Sequence, residues 1–211
     1  MGSPEIHAVL WDFGGVLTTS PFDAFARYER ANGLPEKFIR TLNSTRPDHN
    51  AWARFERASI DVDEFVAAFE AEAAELGYTI DARGLLPSLR GDLRPEMVEA
   101  LRRCHAKFKT ALLTNNFVDP EGSTSPHSHT AVMEHFDVVV ESSKAGCRKP
   151  DPRFYQLALE MLKVEPDHAV FLDDLGINLK PARALGMHTI KVVDPDRAIA
   201  ELEAIVGFGL S

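Results

Sequence analysis

A chain of 211 residues with 45% apolar composition holds enough material for one sizeable core and a subdomain, but not for two large domains. A formal net charge of −9, with no basic stretch that could follow a phosphate backbone, argues against a nucleic-acid partner. No apolar run approaches bilayer length and no signal-peptide pattern opens the chain, so no membrane insertion is expected.

Residues 6–11 read as a first, buried strand ending at Asp12, with Gly14 and Gly15 close behind. A carboxylate just past a buried run, where the backbone must turn, is where α/β proteins place chemistry. The plainer reading is a solvated Asp beside turn glycines. Ser20 before Pro21 marks a helix start with a proline at its first position.

From Phe22 to about Tyr78 the texture is helical. Further helices are expected from Pro35, over residues 50–57, and from Asp63 to a stop at Gly77. Residues 20–90 are therefore expected to form an all-helical insertion of a size suited to a lid. Residues 1–19 and 91–211 are expected to form the core domain. Phe22, Phe25, Phe38, Phe55, Phe65 and Phe69 of the insertion either pack inward or line an apolar pocket, and the pattern leaves both open.

A helix starts near Pro95, and residues 109–114 form a second strand with a polar turn at Asn115 and Asn116. Residues 119–130 are loop by composition. Strands follow at residues 136–141, 169–174 and 189–193, with helices at 151–162, 179–185 and 197–206. Strands alternating with helices imply an α/β fold, a parallel sheet with helices on both faces. The ligand then lies outside the carboxyl ends of the strands.

Those ends carry the polar residues. Asp12 ends the first strand, Thr114 and Asn115 the second, and Asp173 and Asp174 the fourth, while Lys149 follows the third. Asp12, Asp173 and Asp174 make an all-oxygen site for a hard cation, most simply Mg²⁺, to which the carbonyl of Gly14 can add. Thr114 with its following amides, Lys149 and the cation form a cradle for a phosphoryl group. An Asp within reach can attack such a group.

The stretches Asp12-Phe-Gly-Gly-Val-Leu, Leu-Leu-Thr114-Asn, Lys149-Pro and Phe-Leu-Asp173-Asp174 resemble, in order and strand context, the four motifs of the haloacid dehalogenase-like hydrolases. From Leu112 onward the chain also resembles the N-terminal phosphatase domain of soluble epoxide hydrolase. The resemblance implies a Rossmann-like core with a helical cap inserted after the first motif, and an aspartyl-phosphate mechanism. It makes Asp12 the nucleophile and a Mg²⁺ ligand, with Gly14 as the main-chain ligand. Thr114 and Asn115 become the phosphate-binding pair, Lys149 the neutralising lysine, and Asp174 with Asp173 the acidic metal site. The implied substrate is a small phosphorylated metabolite or a lipid phosphate.

One position departs from that pattern. Phosphatases of the family usually carry a second Asp two residues after the nucleophile, which protonates the leaving alcohol and then activates water. Here that residue is Gly14. Proton transfer of this kind is worth ~10²–10⁴-fold. Three readings stay open: a phosphatase with weakened or rerouted proton transfer, a non-catalytic binder of a phosphorylated ligand or partner protein, and a metal-independent dehalogenase. Asp173-Asp174 argues against the last.

Other signals carry less. His127 and His129 read as a solvated loop, Trp11 and Trp52 as packing. Arg148 is either a phosphate ligand or solvated. Cys147 is a candidate reactive thiol beside Lys149. With Cys104 it forms no close metal pair, and a disulfide is not needed at this size, so a reducing, cytoplasmic setting is expected.

Overall fold

The structure, a computed structural model, describes residues 5–117 and 129–210. Most of the loop expected at 119–130, including His127, lies outside the described residues.

Strand β1 (Ala8–Trp11) is followed by helices α1 (Pro21–Ala31), α2 (Phe38–Ser44), α3 (Ala51–Glu56), α4 (Val62–Glu75) and α5 (Ala82–Leu85). Then come α6 (Pro95–His105), β2 (Lys109–Thr114), α7 (Thr130–Met133), β3 (Val138–Glu141), α8 (Ser142–Ala145) and α9 (Pro152–Leu162). The chain closes with β4 (Ala169–Asp173), α10 (Gly176–Ala184), β5 (His188–Lys191) and α11 (Pro195–Val206). The sheet order is β3-β2-β1-β4-β5, and every pairing is parallel.

The central place of β1 explains its unbroken apolar run, because both of its faces are covered. Alternate side chains enter opposite layers. Val9, Trp11, Leu112 and Val170 pack with α6 and α11, through Met97, Leu101 and Leu202. Ala8, Leu10, Leu113 and Phe171 pack with α9 and α10, through Phe154, Ala158 and Leu179.

Helices α1–α5 surround a cluster of their own, in which Phe25, Phe38, Phe55, Phe65 and Phe69 are buried. Phe22 and Trp52 are only partly covered and face a cavity instead. The two connections between this helical body and the sheet run side by side. Thr18 bridges Leu93 in antiparallel fashion, Thr19 N donates to Asp92 O (2.8 Å), and Arg94 N donates to Leu17 O (2.9 Å).

Helix starts differ most from expectation. Helix α10 begins at Gly176 rather than 179, directly after Leu175, whose N–H donates to Asp173 Oδ1 at 2.8 Å. Helix α11 begins at Pro195 rather than 197, with Asp194 accepting from Arg197 N. The short α5 and α8 were not anticipated; one turn leaves no periodic signal.

Candidate active site

The site is built at the carboxyl edge of the sheet. Residues Phe13–Leu17 form one wide turn after β1, closed by Thr18 N donating to Phe13 O at 3.1 Å. Its two glycines have different reasons to be there. Gly15 has φ +79°, and a Cβ on it would lie 2.4 Å from Asp174 Oδ2. Gly14 has φ −70° and ψ 126°, open to any residue, and a Cβ there would meet nothing nearer than Pro21 Cδ at 3.6 Å. The turn therefore requires Gly15 but not Gly14. Replacing Gly15 by Ala should cost about 1–3 kcal/mol from the left-handed backbone and push Asp174 aside. Thermal unfolding together with Mg²⁺ titration checks this.

Lys149 is 1% exposed, and its Nζ lies 2.7 Å from both Asp12 Oδ1 and Asp173 Oδ2. Burial alone would lower the pKa of its ammonium, but Asp12 and Asp173 outweigh burial and hold it above the usual value. Burial raises the Asp12 carboxyl well above the carboxylate range. Asp173 and Asp174 add repulsion, and Lys149 only partly offsets these effects. Burial, then Asp173, pushes Asp174 up to about 6. Three carboxylates crowd around one ammonium.

Their oxygens are not equally committed. Both oxygens of Asp173 accept from Asn178 Nδ2 (3.0 and 3.1 Å), and they also take Leu175 N and Lys149 Nζ. Asp12 uses Oδ1 for Phe13 N (2.7 Å) and Lys149, leaving Oδ2 without a protein donor among the described residues. Asp174 forms no ion pair among the described residues. Even so, Asp12, Asp173 and Asp174 each offer an oxygen within 4.8 Å of the others. An all-carboxylate set at that spacing fits a hard divalent cation.

Thr114 and Asn115 end β2 on the same edge. The Asn115 amide clasps the Lys149 backbone at both points: Lys149 N donates to Asn115 Oδ1 (2.9 Å) and Asn115 Nδ2 donates to Lys149 O (3.0 Å). Its side chain thus places Lys149.

A cavity of about 630 Å³ opens from this edge toward α1–α3. Asp12, Gly14, Thr114, Asn115, Lys149 and Asp174 line its floor. Phe22, Phe25, Trp52, Leu89 and Phe117 give it apolar walls. That volume is in the range of small-molecule sites.

Arg148 is neither solvated nor turned to the floor. It reaches Glu56 Oε2 (2.7 Å) and Pro47 O (2.7 Å), while Ser142 Oγ donates to Glu56 O (2.6 Å). Cys147 is half-buried, and burial, then Asp151, raises its thiol pKa, the opposite of a reactive thiolate. The two cysteines are not bridged. His129, expected in a solvated loop, is half-buried in the cavity wall. Sequence reasoning did not find Glu56 or Ser142, which match no motif, and gave no role to Asn178 in the stretch that follows Asp173-Asp174.

A family model for haloacid dehalogenase-like hydrolases matches residues 6–186. Mouse acyl-CoA dehydrogenase family member 10 is 40% identical over 99% of this chain. Pig bifunctional epoxide hydrolase 2 is 32% identical over 97% of it. The chain spans only 20% and 40% of these two relatives. Phosphatase MT3486 of Mycobacterium tuberculosis is 31% identical, with 89% of this chain matching 88% of that protein. Among solved structures, a predicted HAD-like family hydrolase from Porphyromonas gingivalis superposes with TM-score 0.71 at 18% identity, covering 95% of this chain and 98% of that one. The enzyme bt-2542 from Bacteroides thetaiotaomicron, in complex with magnesium and inorganic phosphate, gives 0.63 at 18% identity, covering 88% and 93%. No helix among the described residues is long and apolar enough to cross a membrane.

Proposed function

Because this chain belongs to the haloacid dehalogenase-like hydrolases, we propose that it is a Mg²⁺-dependent phosphatase acting through a phosphorylated Asp12. The observation that carries the reading is the buried Lys149 held between Asp12 and Asp173, with Asp174 beside them and in no ion pair among the described residues. The relative named as a phosphatase and the magnesium–phosphate complex of a fold neighbour support it.

Asp12 uses its uncommitted oxygen as nucleophile on phosphorus. Lys149 offsets negative charge on Asp12 and on the phosphoryl oxygens, and Asp173, fixed by Asn178, keeps it in place. Thr114 Oγ1 and the backbone N–H of Asn115 hold the phosphoryl oxygens. Asp12, Asp174 and the Gly14 carbonyl would hold Mg²⁺, with Asp173 acting mainly on Lys149. The bound cation supplies Lewis-acid charge withdrawal at the phosphoryl oxygens.

Residues 20–90 serve as the cap, tied to the core by Glu56–Arg148 and by the paired connections at Thr18 and Leu93. The apolar walls suit a small phosphomonoester with a hydrophobic body, a lipid phosphate included. A cytoplasmic setting fits two unbridged cysteines. Hydrolysis of a panel of phosphoesters, with Mg²⁺ and with chelator, tests the reading. Turnover that needs Mg²⁺ and disappears in Asp12→Asn supports it; metal-independent turnover, or none across the panel, contradicts it.

The raised carboxylates also set a pH dependence for the metal-free protein. Asp174 binds its proton more tightly when folded, so ionising it costs stability as pH rises from about 4 through about 6. A divalent cation favours the ionised form and reverses that cost. Mg²⁺ should therefore raise Tm clearly at pH 7.5 and little at pH 4.5. Equal shifts at both pH values would separate the cation from this cluster.

A further inference from the structure

The proposed reaction needs a group that gives a proton to the departing alkoxide and then takes one from water, and Gly14 has none to give. His129 is the histidine that lines the cavity above Asp12 and Gly14. Its ring packs on Phe13, the residue between Asp12 and Gly14, with centroids 5.6 Å apart. It lines the same cavity as Asp12, Gly14 and Lys149.

The other acids of that wall are committed or exposed. Glu56 holds Arg148 and accepts from Trp52 Nε1 at 3.1 Å. Asp174 belongs to the cation set. Asp48 is exposed on the loop between α2 and α3.

We propose that His129 is the acid–base residue of this site, taking the role that a second Asp fills elsewhere. The inference rests on the phosphatase reading. In the first step Asp12 forms a bond to phosphorus and the phosphorus–alkoxide bond breaks. Imidazolium His129 gives its proton to the alkoxide, and the alcohol leaves. In the second step neutral His129 takes a proton from water, and the oxygen of that water bonds to phosphorus. The Asp12–phosphorus bond then breaks, phosphate is released, and His129 is again protonated.

The groups facing His129 fit that cycle. Phe13 meets it from the turn, Arg90 lies near it on the connection before α6, and Asp12, Asp174 and Lys149 share the cavity. Burial, with Arg90 adding repulsion, lowers its pKa below the usual histidine value, which favours the neutral form that takes a proton from water in the second step.

The test compares an alkyl phosphate with 4-nitrophenyl phosphate, whose leaving group needs no proton, in single-turnover experiments with Mg²⁺. His129→Gln keeps a side chain against Phe13 but cannot shuttle a proton. It should slow alkyl cleavage by ~10²-fold or more and leave aryl cleavage nearly unchanged. Adding Gly14→Asp to His129→Gln should recover alkyl cleavage at least ~10-fold, since residue 14 has backbone and space for a side chain. An active wild type in which His129→Gln slows both esters equally, or neither, overturns this inference alone. A wild type that cleaves neither ester overturns the phosphatase reading, and this inference with it.

Discussion

Lys149→Met is expected to unfold at a temperature lower by roughly 10 °C and to lose phosphatase turnover. Methionine roughly matches the stem of lysine but leaves Asp12 and Asp173 buried without their shared cation. Breaking a buried pair by removing one partner costs about 3–5 kcal/mol, most of it from the charge left behind. Protonation can relieve that charge. The stability gap between variant and wild type should therefore narrow as pH falls from 8 to 5, because the Asp12 carboxyl, without Lys149 to lower its pKa, takes up a proton more readily. Thermal unfolding at several pH values measures it. A gap that stays constant with pH would mean that lost packing, not stranded charge, sets the cost.

Asp12→Asn is expected to act in the opposite direction on stability while abolishing function. Burial, with Asp173 and Asp174 nearby, holds the Asp12 pKa above the carboxylate range, so the ionised carboxyl is unfavourable in the metal-free fold at neutral pH. The amide oxygen of Asn can still accept from Phe13 N and Lys149, and the repulsion is removed. The metal-free variant should unfold at the same temperature as wild type or higher. Its turnover should fall by ~10³-fold or more, since a neutral amide cannot open the covalent route. A variant that is both less stable and still active would show that Asp12 is a structural carboxylate. The contrast with Lys149→Met is informative: neighbouring residues of one ion-pair cluster have opposite effects on stability and the same effect on turnover.

Much of this could be read in the chain because parallel sheets make the reading easy. An apolar run such as Ala8–Trp11 marks a strand covered on both faces, and the polar residue after it must lie on the common carboxyl edge. Asp12, Thr114, Asn115, Lys149, Asp173 and Asp174 could be grouped on that argument, and they line one cavity or touch one another.

What was not legible depends on contacts between distant residues. Nothing local pairs Glu56 with Arg148 or with Ser142. Asn115 looks like a phosphate ligand by position, yet its amide is used to hold Lys149. The two glycines look alike in sequence and differ in φ, which only the folded backbone reveals. The six phenylalanines of residues 20–90 could not be sorted either. Four pack inward, Phe25 is buried yet also lines the cavity, and Phe22 stays partly covered beside it, because three-dimensional helix packing decides which face is left over.

The most direct test of covalent catalysis by Asp12 is mass spectrometry of enzyme acid-quenched during turnover with Mg²⁺ and an aryl phosphate. The digest should contain the peptide that includes Asp12 with one added phosphoryl group, absent from Asp12→Asn. Turnover with no phosphorylated peptide under the same quench, or with the phosphoryl group on another residue, would contradict it.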